Sequence, residues 1–198
     1  MLNDIIFTFD KNYKRITNLL EAYDIISEID TKNPSKGDIL RAIVVLTHST
    51  FEDFLRSVLR WKLITEENIS LDRIPMAGKG KNNTKILFGD IVKHKGISID
   101  SLIEKSINEY LTSVSFNNFG DISKDLSWIN FNVELVRKYY STIDEMISRR
   151  HNIVHNADRM NLDDVSKSRV RRISKRGVKK WVKTVDDFVL DLSKELRK

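Results

Sequence analysis

Arg150 and His155, separated by four residues, are the side chains of this 198-residue chain best suited to catalysis. His155 can act as a base or an acid near neutral pH, because the unperturbed pKa of histidine is about 6.5. Arg150 is always charged, and its planar guanidinium matches the oxygens of a phosphate group. Such a pair could cut RNA, whose 2′-OH attacks the neighbouring phosphate when a base removes its proton and a cation stabilises the developing charge. This reaction needs no metal ion.

The spacing of the two residues limits how they could act together. Five residues of an ideal helix place two side chains about 140° apart and roughly 7.5 Å apart along the axis. One helix alone would therefore point Arg150 and His155 in different directions. Three arrangements could bring them together: a break in the helix, an Arg150 side chain that reaches around, or two copies of the motif that meet across a twofold axis.

Residues next to this pair could support it. The predicted supporting residues are His151, Asn156 and Asp158. His151 and His155 also form an i, i+4 pair, which on one helical face could bind zinc. No third ligand is obvious, because the chain has no cysteine and only two further histidines. We therefore predict no metal ion and no cofactor.

Other candidate sites have less support in the sequence. His48 and Glu52 lie one turn apart in a predicted helix and could approach the same cleft, although a hydrogen-bonded helical pair is the commoner explanation. No serine lies in a Gly-x-Ser-x-Gly turn, which argues against a hydrolase triad. The chain has neither a Gly-x4-Gly-Lys phosphate-binding motif nor a dinucleotide-binding fingerprint. Nucleotide hydrolysis and hydride transfer are therefore unsupported.

A basic segment near the C-terminus could bind a polyanion. Residues 165–185 contain nine lysines and arginines, Lys167 among them, and no acidic residue, within a chain of net charge +6 and pI near 9.4. Such a concentration of charge suits phosphates, although a solvated basic loop and helix face is the plain alternative. The predicted RNA-binding residues are Arg149, Arg169, Arg171, Arg172, Lys175 and Arg176.

Length and composition indicate one domain in the cytoplasm. With 40% hydrophobic residues, two prolines and seven glycines, the chain can build one core of long helices but is short for two domains. We therefore predict a single domain over residues 1–198. The lack of cysteine excludes disulfides and thiolate chemistry and favours the cytosol. No apolar run approaches a membrane span, and the N-terminus lacks the pattern of an export signal.

Apolar residues recur every three or four positions along most of the chain, which indicates amphipathic helices. Predicted helices cover residues 2–29, 98–114 and 178–196, with a long buried helix after residue 37 and another from about Asn130 or Asn132 to the motif. Asp38 is predicted to cap the second helix, and Ser101 with Glu104 has the spacing of a capping box. Residues 70–85 are predicted to form an exposed basic loop. The three tryptophans are predicted to be core residues rather than base-stacking platforms.

The segment Ser148–Asn156 resembles the Arg-x4-6-His motif of HEPN ribonucleases. The resemblance covers nearly the whole chain, since a long helix containing Thr47–Leu55 precedes the motif and an amphipathic C-terminal helix follows it. The chain is most similar to the RiboL-PSP-HEPN group. This likeness implies an all-α, HEPN-like helical bundle with long antiparallel helices. It also implies a metal-independent endoribonuclease with Arg150 and His155 as catalytic residues, whose products end in a cyclic phosphate or 3′-phosphate and a 5′-OH.

The same resemblance implies the partners. HEPN ribonucleases bring the motifs of two protomers to one cleft, so a homodimer is expected, with a nearly inactive monomer. The implied setting is a toxin, an antiphage effector or another stress-response ribonuclease. An antitoxin or another regulatory protein would hold it in check, and the RNA substrate completes the expected partners, with no membrane among them.

Two other functions stay open. A HEPN-like module could bind RNA or a protein partner without cutting, since a fold does not settle a function. The joint presence of Arg150 and His155 favours the enzyme, because an inactive member would more naturally lack one of them. A helical DNA-binding protein could instead use the basic segment, and a requirement for 2′-OH groups would distinguish the two.

Overall fold

The first 65 residues form two long helices that pack along each other. The computed structural model describes residues 1–80, 83–160 and 169–198. Helix α1 spans Leu2–Ile29 and helix α2 spans Ser35–Thr65. Only residues 30–34 join them, so the two helices run antiparallel. The predicted bounds of the first helix are confirmed.

Helix α2 begins earlier than the sequence predicts, so the prediction that Asp38 caps it is wrong. Pro34 precedes the helix and Asp38 lies inside its first turn. Proline suits this position, because its fixed φ matches the helix and it lacks an N–H that would be unpaired there. Asp38 is exposed and forms an ion pair with Arg41, with 3.3 Å between Oδ1 and Nη1.

Two shorter helices follow, α3 (Phe88–Val92) and α4 (Ile99–Ser113). Ser98 caps α4, because its hydroxyl accepts a hydrogen bond of 3.2 Å from the backbone N–H of Ser101. The predicted capping box of Ser101 and Glu104 is therefore wrong. A capping side chain must stand before the first helical residue, and Ser101 is already inside the helix.

The loop before α3 is less exposed than predicted. Pro75, Met76 and Ala77 are buried, and the backbone N–H of Ala77 donates to the hydroxyl of Ser106 in α4 at 2.9 Å. Burial of these apolar side chains removes them from water and holds this part of the loop against α4. Residues 78 and 80 are exposed as predicted, while Lys81 and Asn82 of the predicted loop lie outside the described residues.

A further helix, α5, was not predicted from the sequence. It spans Phe119–Trp128, and the side chain of Asn118 caps it by accepting from the N–H of Asp121 at 3.0 Å. Asn118 therefore marks the start of this helix. The remaining elements are a 3-10 helix at Val133–Tyr139, helix α6 at Tyr140–Asn156 and helix α7 at Lys175–Glu195.

The hydrophobic core includes residues of α2 and of the helices packed against it, α1, α4, α6 and α7. Phe51 of α2 and Phe188 of α7 are fully buried and meet edge to face, with ring centroids 5.0 Å apart. Trp128 and Trp181 are buried as predicted, whereas Trp61 is partly exposed. The described residues contain seven α-helices and no strand, which confirms the all-α bundle. None of these helices is long and apolar enough to cross a membrane.

Candidate active site

The Arg-x4-His motif lies on the last two turns of α6, which is unbroken from its start to Asn156. The helix does not break between Arg150 and His155, so one of the three possible arrangements is excluded. The helix ends at Ala157, whose φ of 47° is left-handed, and Asp158 follows with a φ of 56°. Asp158 donates its backbone N–H to a carbonyl of the last helical turns, which satisfies a helix-terminal acceptor.

The Arg150 side chain packs within the bundle rather than extending into open solvent. It is half-buried, and its Nε is buried without a hydrogen-bond partner among the described residues. Its positive charge acts on His48 of α2, whose side chain is only 3% exposed. Arg150 therefore lies on the side of α6 that faces α2.

His48 is a buried histidine whose pKa lies below its usual range. Burial is the main cause, and the nearby cations Arg150 and Arg56 lower the pKa further, while Glu52 and the backbone of Phe116 oppose the shift. His48 is therefore neutral at pH 7. Its Nδ1 lies 3.8 Å from Glu52 Oε2, which is too long for the hydrogen bond predicted for this pair. That His48 approaches a catalytic cleft stays a prediction.

His151 and His155 lie on the exposed surface of α6. Both side chains are exposed, and their ring centroids are 4.5 Å apart with the planes tilted by 44°. Neither ring forms a hydrogen bond or an ion pair with another described residue. No hydrogen bond joins Arg150 to His155 within the described part of the chain. The described residues also hold no group of three or more His, Cys, Asp or Glu placed to bind a metal ion.

Asp158 joins three parts of the chain. Its side chain is fully buried, and Oδ2 accepts hydrogen bonds from Nε of Arg41 at 2.8 Å and from Nη2 of Arg149 at 2.7 Å. The two arginines belong to α2 and α6. Both guanidinium groups also donate to the carbonyl of Arg171. Asp158 therefore fixes the end of α6 to α2 and to the segment that precedes α7.

Asn156 belongs to a short ladder of side chains along α6. Its amide donates to Oδ1 of Asn152 at 3.2 Å, and the amide of Asn152 donates to the carbonyl of Ser148 at 3.0 Å. The ladder runs along the helix toward His155. That Asn156, His151 and Asp158 support catalysis stays a prediction.

The predicted RNA-binding residues differ in exposure and in whether their side chains already bind other residues of the protein. The exposed ones are Arg169, Arg172 and Arg176. Lys175 forms an ion pair with Asp24 of α1, and Nε of Arg171 donates to the carbonyl of Arg159 at 3.3 Å. Arg149 is bound to Asp158, as described above. Lys167, part of the predicted basic segment, lies outside the described residues.

Arg41 is the residue near the motif that the sequence did not reveal. It lies 117 residues before its partner Asp158. The spacing of apolar residues along α2 does not show whether Arg41 is an ordinary exposed arginine or a paired one. The only signal was the arginine's position beside Leu40 and Ile43, which are buried on the same helix. The apolar periodicity of a helix can show that a residue lies near the core, but it does not identify the residue with which it forms an ion pair.

The fold defines a class, that of all-α bundles of long helices, which resembles the HEPN proteins. The family model RiboL-PSP-HEPN matches residues 10–198, so the chain belongs to the RiboL-PSP-HEPN family. Membership confirms the resemblance and suggests a role in RNA or nuclease chemistry. Searches of curated proteins and of solved structures found no significant match.

Proposed function

We propose that this protein is a metal-independent endoribonuclease with Arg150 and His155 as its catalytic residues. The observation that carries the proposal is the position of these two residues on α6 of a HEPN-family bundle. His155 is exposed and can reach an RNA backbone, while Arg150 keeps a buried Nε that has no partner among the described residues. An unpartnered N–H on a cation is a donor that a phosphate oxygen could satisfy.

The proposed reaction is an internal transfer within the RNA. His155 removes the proton from a 2′-OH, and that oxygen forms a bond to the adjacent phosphorus as the bond to the 5′-oxygen breaks. The leaving 5′-oxygen takes up a proton from the protonated His155 or from water and becomes a 5′-OH, while the other product carries a cyclic phosphate. Arg150 donates hydrogen bonds to the phosphate oxygens as negative charge develops on them.

Two copies of the chain would form the complete cleft. Within one protomer Arg150 faces α2, whereas His155 is on the exposed surface of α6. An isologous dimer through this end of α6 would place His155 of one copy near Arg150 of the other. We therefore propose a homodimer and expect the monomer to be nearly inactive.

The proposed setting follows from the proposed chemistry and the family. A ribonuclease that cuts cellular RNA must be restrained, which supports an effector role, as a toxin or in antiphage or stress defence, with an antitoxin or another regulatory protein as its partner. The absence of cysteine supports the cytoplasm. The alternative is a non-catalytic HEPN-like module that binds RNA or a protein, and the exposed cations Arg169, Arg172 and Arg176 would serve it equally well.

The test is cleavage of a labelled single-stranded RNA in EDTA, beside a DNA copy of the same sequence. Wild type should cut the RNA and spare the DNA, because only RNA has the 2′-OH. Arg150→Ala and His155→Ala should each reduce the rate by about 10² or more, the typical contribution of a general base or an electrostatic donor. Purified dimer should be used, since the monomer is expected to be inactive.

Matched controls are His94→Ala and Arg137→Ala. His94 contacts the carbonyl of Ala77 outside the motif, and Arg137 is exposed on the 3-10 helix. Both should cut at the wild-type rate. A folded wild-type dimer that binds RNA without cutting it would favour the non-catalytic module, and cutting that persists in both motif variants would reject Arg150 and His155 as the site.

A further inference from the structure

A pocket of about 350 Å³ lies between α6, the segment 171–174 and the first turns of α7. Helix α6 contributes a stripe of residues at helical spacing: Glu145, Ser148, Arg149 and Asn152. Trp181 of α7 and Ile173 supply an apolar wall. The pocket is therefore large enough for one nucleotide and combines cationic, hydroxyl, carboxylate and aromatic groups.

The pocket adjoins the proposed catalytic residue. Asn152 lines it and precedes His155 by three residues, which on a helix is a neighbouring position on the same face, about 4.5 Å further along the axis. The ladder from Ser148 through Asn152 to Asn156 follows the same face. A strand whose phosphate lies at His155 would bring the next nucleotide to the pocket.

One part of the pocket is suited to a phosphate. Arg149, Arg171 and Arg172 line it, together with the hydroxyl groups of two serines. Arg172 is exposed, and among the described residues only its backbone carbonyl forms a hydrogen bond, which it accepts from Arg149. Guanidinium groups bind phosphate oxygens through paired N–H donors.

Another part of the pocket is suited to a base that donates hydrogen bonds. Glu145 places a carboxylate among cations, and its Oε2 accepts from the indole N–H of Trp181 at 3.2 Å and from Lys180 at 3.4 Å. The other oxygen, Oε1, accepts no hydrogen bond among the described residues. A carboxylate only accepts, so it favours the base that presents two adjacent N–H donors on its Watson–Crick edge, which is guanine.

We infer that this pocket is a guanine-nucleotide subsite of the RNA substrate, with Arg172 binding the phosphate and Glu145 selecting the base. The inference rests on the proposed ribonuclease function and adds a sequence preference to it. RNA is read in single strands through the Watson–Crick edges of unstacked bases and through contacts with aromatic side chains. Cutting therefore occurs next to a guanine.

The test is calorimetric titration of the full chain with guanosine 3′-monophosphate, the adenosine and uridine analogues, and inorganic phosphate. The guanosine nucleotide should bind about tenfold more tightly than the other two, the scale of one paired contact to a base edge. Glu145→Gln should abolish this preference without weakening phosphate binding. Gln still offers an oxygen to Trp181, so the fold is preserved. Arg172→Gln should weaken binding of all four ligands alike.

Glu134→Gln and Arg137→Gln are the matched controls, because these two residues form an exposed ion pair on the 3-10 helix outside the pocket. Neither change should alter binding. A second readout is the sequence at the cut sites of a mixed RNA, where wild type should cut beside guanine and Glu145→Gln should cut with no such preference.

The outcomes separate this inference from the proposed function. RNA cutting without binding of the guanosine nucleotide, or with equal binding of all three nucleotides, would overturn the guanine subsite and leave the ribonuclease standing. Selective guanosine binding that Glu145→Gln abolishes, in a dimer that cuts no RNA, would support the subsite and reject the enzyme. Binding that Glu134→Gln reduces as much as Glu145→Gln would also overturn the assignment.

Discussion

At the residue scale, the motif differs from an ordinary surface pair in the environment of its arginine. Arg150 lies near His48 of α2, a buried histidine that is also close to the half-buried Glu52. Positive charges near a buried imidazole favour its neutral form. His48 is therefore neutral and adds no second positive charge next to Arg150.

Acidification should destabilise the protein through His48. The pKa of His48 is lowered in the folded state, mainly by burial, so the unfolded chain binds the proton first as the pH falls. The contribution of His48 is complete above the unfolded value of about 6.5 and is lost as the pH falls toward the lowered folded value. Urea unfolding from about pH 5 to 8 measures this slope, and His48→Gln should reduce it.

His94→Gln is the control for this pH effect. His94 is half-buried and contacts the carbonyl of Ala77, away from the cluster around His48. Its removal should leave the slope of unfolding free energy against pH unchanged. If the two variants reduced the slope of unfolding free energy against pH equally, the pH dependence could not be assigned to His48.

The sequence could identify candidate site residues only where the residues lie close together along the chain. Arg150, His151 and His155 lie within six consecutive residues of one helix, so their spacing alone determines their relative directions. The contact of Arg41 with Asp158 crosses 117 residues, and only the packing of α2 against α6 creates it. The sequence therefore shows the spacing of the candidate motif residues but not the ion pairs at the end of their helix.

At the element scale, Asp158 connects α2, α6 and the segment before α7 through hydrogen bonds and ion pairs. Asp158→Asn should lower the free energy of unfolding by about 3 kcal/mol, because two half-buried arginines lose the charge that compensates them. Asparagine keeps the side-chain shape and tolerates the left-handed backbone at this position. Urea unfolding measures the loss.

Asp38→Asn is a matched control, because Asp38 pairs with the same Arg41 but is 79% exposed. An exposed pair contributes at most about 1 kcal/mol, so this change should have little effect. Equal losses in the two variants would contradict the role assigned to Asp158.

Prediction of the elements succeeded where one periodic face was long and failed where capping decided the boundary. The first helix has an apolar face along 28 residues, and its bounds were predicted correctly. Helix α5 has only ten residues, and its start depends on the side chain of Asn118. Asparagine favours both the ends and the beginnings of helices, so its presence alone could not show that a helix follows.

At the scale of the whole molecule, we propose that a second chain completes the cleft. Arg150 faces α2 and His155 lies on the exposed surface of the same unbroken helix. A second protomer related by a twofold axis would supply the missing partner to each, and two equivalent sites would result. In such a site the arginine and the histidine come from different chains.

Heterodimers that pair Arg150→Ala with His155→Ala distinguish this arrangement from one built within a single chain. The two variants, co-expressed with different tags and purified through both, give dimers in which one composite site lacks both residues and the other lacks neither. Such heterodimers should recover about half of the wild-type RNA cleavage, although each homodimer is inactive. If instead each site used the arginine and the histidine of one chain, both sites of the heterodimer would lack a residue and it would cut no RNA. Heterodimers as inactive as the parent variants would therefore contradict the composite site.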